Sequence, residues 1–353
     1  MASASALVAP LHGTLQLYQA KPVALPYVDT DASLTHTLVF VPGLTDTLGT
    51  LPYLPRLAAL LHSRSWSLVQ PQLTCNLGGY GQCTLEGDAR ELAACISHLH
   101  NTKPGGKVVL MGHSTGCQNA IAYLLSSKRA KSARIHGAIL QAPVSDREFY
   151  EMQRDAAEPC ERERMDEQLQ LATNLVLQGK GSTLMPRDSI DLATDPDDAD
   201  DADDADDADD ADAQSGVAST PPNGNVSAVL TPAITAYRTW SLKARGGHDD
   251  FFSSDLADSA ITDTRAGARS IARALHNLRT ATPTARMLAL IGEKDEYVPT
   301  GKQAILLERW TQLLEPTGGF QAEILQQANH QAASQVATDH LLQLVAKFLA
   351  QLS

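Results

Sequence analysis

A serine, an aspartate and a histidine stand at the ends of apolar segments in the order Ser114, Asp295, His330. The serine lies in Gly112-His113-Ser114-Thr115-Gly116, a G-x-S-x-G pattern between a buried-strand run, Val108 to Met111, and a helix-like run, Cys117 to Leu125. A strand that turns this sharply into a helix leaves its turn residue strained and exposed, and side chains do not fit two positions to either side. A serine hydroxyl is a weak nucleophile at neutral pH, so it needs a base to take its proton and an acid to orient that base. The chain order Ser, Asp, His meets that need. Thr115 opens the following helix, so its N–H lacks an intrahelical acceptor and can face a developing oxyanion.

The elements that must position these residues are legible as apolar runs. Arg286 to Ile291 reads as a strand with Asp295 just past its end, and Phe320 to Leu325 as another, with His330 in the loop that follows. All three residues are therefore expected at one edge of the sheet. Gly13 to Tyr18 reads as an edge strand, and His36 to Val41 as a buried one that ends at Pro42-Gly43-Leu44. That loop is where the second oxyanion donor is expected. Pro42 has no N–H, which leaves Leu44 as the donor and gives Gly43 the turn. Leu51 to Leu61, Leu85 to Leu99 and about Val336 to Leu349 read as helices, and Trp66 to Val69 and Ile135 to Leu140 as further strands. Strands alternating with helices at this spacing predict a mostly parallel sheet covered on both faces.

The formal charge of −13 belongs almost wholly to one stretch. Asp195 to Asp212 holds 12 aspartates and no basic residue, so the rest of the 353-residue chain is nearly neutral and has no basic patch for nucleic acid. With 43% hydrophobic residues there is ample material for a large core. The N-terminus carries no secretory pattern, no run is long enough to span a membrane, and the C-terminus matches no retention or peroxisomal signal. Five scattered cysteines form no metal spacing and cannot all pair, which fits reduced thiols in the cytoplasm. No metal site and no cofactor are expected.

Between Ala142 and Pro283 the alternation stops. Asp146 to Gly179 reads as charged helix, Ser182 to Pro232 as low-complexity sequence, and Ala233 to Arg279 as mixed short helices. The expected organisation is a core from 1 to 145, a cap insertion from 146 to 283 containing a disordered acidic linker at 182–232, and a second core segment from 284 to 353. The repeated Asp-Asp-Ala has too much like charge and too little apolar surface to fold. Its carboxylates suit calcium chemically, yet no glycine turn or terminal glutamate shapes a loop around an ion.

The segments FVPGLTD, GYGQCTLEGD, LMGHSTGCQ, LQAPVSDRE, DDFFSSDL and GEKDEYVP together resemble the α/β-hydrolase family, long labelled as of unknown function, that includes the fungal fusarinine C esterase. GHSTG is shared by many hydrolases, whereas PVSDRE and DDFFSSDL are particular to this family. The resemblance covers most of the chain from about His36, apart from 182–232. It implies an α/β-hydrolase fold with a cap, and a serine esterase opening ester bonds of a hydroxamate siderophore so that iron is released inside the cell. Residue by residue it implies Ser114 as nucleophile, Asp295 as acid and His330 as base. Iron enters only as part of a small-molecule substrate. Pro42 departs from relatives that are glycine-rich at that loop.

Alternatives remain on the sequence alone. Asp146, after the Ile135 to Leu140 strand, is a second position for the acid. His113 is expected to bond locally, His248 to lie at the surface, Asp249 and Asp250 to brace the cap, and Cys117 to be buried packing. The same chemistry would serve a carboxylesterase, lipase or thioesterase on another small acyl group, and the fold would equally carry a non-catalytic ligand-binding protein. Oligomeric state is not legible.

Overall fold

Short aliphatic and β-branched runs that are apolar on both faces can be buried only in a sheet covered on both sides. In the computed structural model, which describes residues 9–126, 134–186 and 232–352, they form one eight-stranded sheet. The strands are β1 (Thr14–Gln19), β2 (Leu25–Asp29), β3 (His36–Val41), β4 (Trp66–Pro71), β5 (Val108–His113), β6 (Gly137–Gln141), β7 (Arg286–Gly292) and β8 (Phe320–Leu325), in the order β1-β2-β4-β3-β5-β6-β7-β8. The β1–β2 and β2–β4 pairs are antiparallel and the rest parallel.

Alternation along the strands divides the core into two layers. Val39, Val41, Val108 and Leu110 pack with α2 (Leu85–Thr102), α3 (Thr115–Leu125), α8 (Ile271–Ala281) and α9 (Lys302–Leu313). Their neighbours Leu38, Phe40, Val109 and Met111 point the other way, against α1 (Leu54–His62) and α10 (Gln335–Ala350). Parallel register brings the carboxyl ends of the strands level, Val41 with Gly112, His113 with Gln141 and Gly292 with Leu325. The loops holding Leu44, Ser114, Asp295 and His330 therefore open on one edge, where ligands of open α/β sheets bind.

Several boundaries differ from the sequence reading. Strand β2 was not anticipated, because Pro26 demotes a run of five residues. The charged segment 146–179 is two helices, α4 (Asp146–Ala156) and α5 (Pro159–Leu177), divided where Pro159 starts the second. α6 (Ala236–Lys243) and α7 (Asp258–Thr262) follow in the insertion. The expected 146–283 insertion includes α8, yet Ile271, Ala274, Leu275 and Leu278 join the main core and Asn277 donates to the carbonyl of Leu124 at the end of α3. Its apolar stripe makes it part of the helical layer. The stretch expected to be low-complexity from Ser182 also starts too early, because Leu184 bridges to Thr235 and Met185 is buried. The Asp195–Asp212 run, with its linker and calcium readings, lies outside the described residues. No helix among the described residues is long and apolar enough to cross a membrane.

Candidate active site

Ser114 has φ 52° and ψ −127°, between the last residue of β5 and the first of α3. A side-chain residue held at positive φ stores on the order of 1–3 kcal/mol, which the surrounding packing must impose. Glycines make the packing possible. A Cβ at Gly112 would meet the carbonyl of Gly116 at 2.2 Å, and one at Gly116 would meet that of Val41 at 2.3 Å. The loop after β3 lies directly against the serine, since a Cβ at Gly43 would sit 3.0 Å from that of Ser114. In this loop the Gly43 N–H already donates to Asp46 Oδ2 at 3.2 Å.

His330 and Asp295 are brought together as a buried pair. The imidazole Nδ1 lies 3.0 Å from both carboxylate oxygens of Asp295, so it carries the proton and leaves Nε2 as the acceptor. Asp295 is held in turn by the Tyr297 N–H at 3.0 Å, and the His330 N–H donates to Glu296 Oε2 at 2.9 Å. Exposures of 9%, 2% and 6% for Ser114, Asp295 and His330 put all three near the edge of the interior. Among the described residues no hydrogen bond joins the Ser114 hydroxyl to His330, a looseness common in sites without substrate. Burial alone would pull the His330 imidazole down; the Asp295 carboxylate, with Glu296 and Asp46 beyond it, overcomes this and leaves the net direction upward.

A hub missed in the sequence holds the serine loop and the histidine loop together. Gln141, fully buried at the end of β6, accepts from the Tyr53 hydroxyl at 2.8 Å and from His113 Nδ1 at 2.6 Å through Oε1. Its Nε2 donates to the His330 carbonyl at 3.2 Å, and its own carbonyl accepts the Ser114 N–H at 3.1 Å. The signal was present, since an amide ending an otherwise apolar strand must find partners inside. His113 is held neutral, its imidazole well below the usual range through burial and then the neighbouring His330. Asp46 was also passed over; burial raises its carboxyl against the pull of the Gly43 N–H and His330.

The other expected residues fall as follows. Asp146 is not paired with His330; its Oδ2 accepts from Gln118 Nε2 on α3 at 2.9 Å. Cys117 is buried, its thiol directed to the carbonyls of Gly112 and Gln141. His248 is half-buried rather than loose on the surface, with Nδ1 2.8 Å from the Tyr237 hydroxyl and its ring against Trp240. Asp249 pairs with Arg238 and Asp250 with Arg147, both buried arginines of the insertion helices. Leu44 packs on a cluster of Tyr80, Ala172, Met185, Ile234, Ala236 and Leu242, so the insertion meets the loop beside Ser114.

The carboxyls of Asp88, buried on α2, and of Asp146, half-buried at the start of α4, give a pH prediction. Asp88 and Asp146 are both pushed up to about 7, chiefly by burial and against the pull of Arg238, with Asp249 adding to the rise at both. The folded chain thus keeps protons that the unfolded chain releases near pH ~4, and the stability this gives is lost as pH rises through about 7. Asp146→Asn is neutral at every pH and keeps an oxygen for Gln118. Its thermal midpoint should gain on wild type between about pH 4 and about pH 7 and hold level above that. A difference that stays constant or moves the other way would contradict the assignment.

Comparisons with known proteins bear on the family and the fold. A family model described as "Protein of unknown function (DUF1749)" matches residues 1–196 and 199–352. An esterase of Emericella nidulans is 29% identical over 286 residues, covering 72% of this chain and 69% of that protein. A fusarinine C esterase of Aspergillus fumigatus is 36% identical over 159 residues, 39% of this chain and 45% of that protein. Among solved structures, a siderophore hydrolase of Aspergillus fumigatus has a TM-score of 0.71 at 24% identity, over 97% of this chain and 98% of that one. An α/β-hydrolase fold protein of unknown function gives 0.54 at 17%, over 97% and 96%. The chain has the α/β-hydrolase fold.

Proposed function

The chain belongs to the DUF1749 family, and we propose that it is a serine ester hydrolase whose substrate is a small ester of the hydroxamate siderophore class, such as fusarinine C. The observation that carries this reading is the buried His330–Asp295 pair at the strand edge where Ser114 is held at positive φ. The esterase and fusarinine C esterase names among its relatives support the substrate class.

In this reading His330 Nε2 takes the Ser114 proton as Oγ attacks the ester carbonyl. Asp295 holds the imidazole with its proton on Nδ1 and stabilises the imidazolium that forms. The Thr115 N–H, at the first turn of α3, and the Leu44 N–H face the oxyanion. Leu44 is preferred in its loop because Pro42 has no N–H and that of Gly43 is occupied by Asp46. Collapse of the tetrahedral intermediate expels the alcohol, which takes the proton back from His330, and water activated by the same histidine releases the acid. Helices α4, α5 and α6 act as the cap, excluding water and selecting the ester. Iron is cargo of the substrate. We place the enzyme in the cytoplasm, where its product would release iron to the cell.

Hydrolysis of iron-loaded and iron-free fusarinine C, beside p-nitrophenyl acetate, tests the reading with wild type and Ser114→Ala. Siderophore cleavage that disappears in the variant is the expected result. Turnover of the simple ester alone would keep the chemistry and reject the siderophore, pointing to another carboxylesterase or thioesterase substrate. No Ser114-dependent turnover of either would favour a non-catalytic binding protein.

A further inference from the structure

PVSDRE and DDFFSSDL, singled out in the sequence as particular to the family, interlock. Ser145 caps α4 by accepting the Glu148 N–H at 3.0 Å, and its hydroxyl lies 2.5 Å from that of Ser253. Arg147, fully buried, reaches Glu151, Asp250 and Asp255. The Glu148 carboxylate accepts from the Ser254 N–H at 2.9 Å and hydroxyl at 2.6 Å. The first turn of α4 is thereby fixed, and the next residue along it is Phe149. The Phe149 ring stacks on Tyr297, centroids 4.5 Å apart at 38°, and Tyr297 stacks on His330 at 4.3 Å and 39°. His113 contacts the same imidazole at 4.8 Å and 51°. Phe149 and Tyr297 are only half-buried, unlike the core aromatics Phe252 and Trp310. Tyr297 also packs against the edge of the main core, so its ring is shared between the core and His330.

We propose that Tyr297 is a positioning residue for His330, holding the imidazole against Asp295 with its Nε2 toward Ser114, and that Phe149 ties this arrangement to the insertion. The proposal rests on the reading of His330 as the base. A ring face beside the imidazole also favours the imidazolium that forms during attack. The same residue fixes the acid, since its N–H binds Asp295 Oδ1. The charged and titratable groups facing His330 are Asp295 and Glu296 after β7, Asp46 after β3, His113 at the end of β5 and Asp146 at the start of α4, with Tyr297 itself. Removing the Tyr297 ring leaves the other five in place.

The test is hydrolysis of p-nitrophenyl acetate by Tyr297→Phe, Tyr297→Leu and Phe149→Leu, with Ser114→Ala as the background. Tyr297→Leu is expected to lower kcat by about 10- to 100-fold with KM within about 3-fold. The acidic limb of kcat/KM should move to lower pH by about half a unit, because the imidazolium has lost a favourable neighbour. Tyr297→Phe keeps the ring and should restore both to within about 3-fold and the original limb. Phe149→Leu should lower kcat by about 3- to 10-fold, and add little in the Tyr297→Leu background. If Tyr297→Leu does not fold, Phe149→Leu alone decides. Unchanged kcat and limb in the leucine variants, or a loss in Tyr297→Phe as large as in Tyr297→Leu, would overturn the proposal. Turnover that survives Ser114→Ala would instead reject the serine mechanism on which the proposal rests.

Discussion

Ser114→Ala is expected to lower kcat for any ester the protein hydrolyses by about 10⁴-fold or more, with the fold intact. The size follows from the chemistry, because no acyl-enzyme forms without the hydroxyl and water must attack unaided. What remains is the contribution of the oxyanion donors and binding. Stability should hold because alanine keeps the Cβ and is no worse at φ 52° than serine. The N–H still meets the Gln141 carbonyl, and the carbonyl still accepts from Cys117. Steady-state kinetics beside a thermal melt separate the two effects. An unfolded variant would mean that the hydroxyl is structural, and near-wild-type turnover would remove Ser114 from the reaction.

The second large effect is on stability. Arg238 and Asp249 are both buried, joined by contacts of 2.8 and 2.7 Å from one guanidinium nitrogen, and the Ser241 hydroxyl donates to the same carboxylate. Arg238→Met would leave the buried Asp249 carboxylate on the Ser241 hydroxyl without its counter-charge, near Asp88 and Asp146, whose ionised forms the guanidinium also favours. Breaking such a pair from one side costs about 3–5 kcal/mol, whereas removing both partners costs much less. The urea midpoint should therefore drop sharply in Arg238→Met and recover in part in Arg238→Met/Asp249→Leu. A double variant no better than the single one would show that the pair is not what holds α6 in place.

How much of this was legible in the sequence depended on distance along the chain. The elbow was, because strand, glycines, serine and helix are all local and each demands the next. β7 and β8 were, because uninterrupted apolar runs leave little choice but a buried strand, and their ends carry Asp295 and His330. Strand β2 was not, since Pro26 argues against it and the counter-charge of its buried Asp29 is Lys103, which lies 2.5 Å away in space and far off in sequence. The same holds for Gln141, whose partners Tyr53, His113 and His330 come from three separate loops or elements. Nor could Phe149 and Tyr297 be joined before the insertion was folded. α8 was assigned to the insertion because its neighbours are irregular, although its own stripe of Ile271, Ala274, Leu275 and Leu278 was visible.

Covalent trapping tests the central claim most directly. Wild type and Ser114→Ala would be mixed briefly with p-nitrophenyl acetate, quenched in acid, digested and mapped by mass spectrometry. The account predicts one acetyl group, on Ser114, in the wild type and no acetylated site peptide in the variant. Acetylation at another residue, or turnover with Ser114 unlabelled and dispensable, would contradict it.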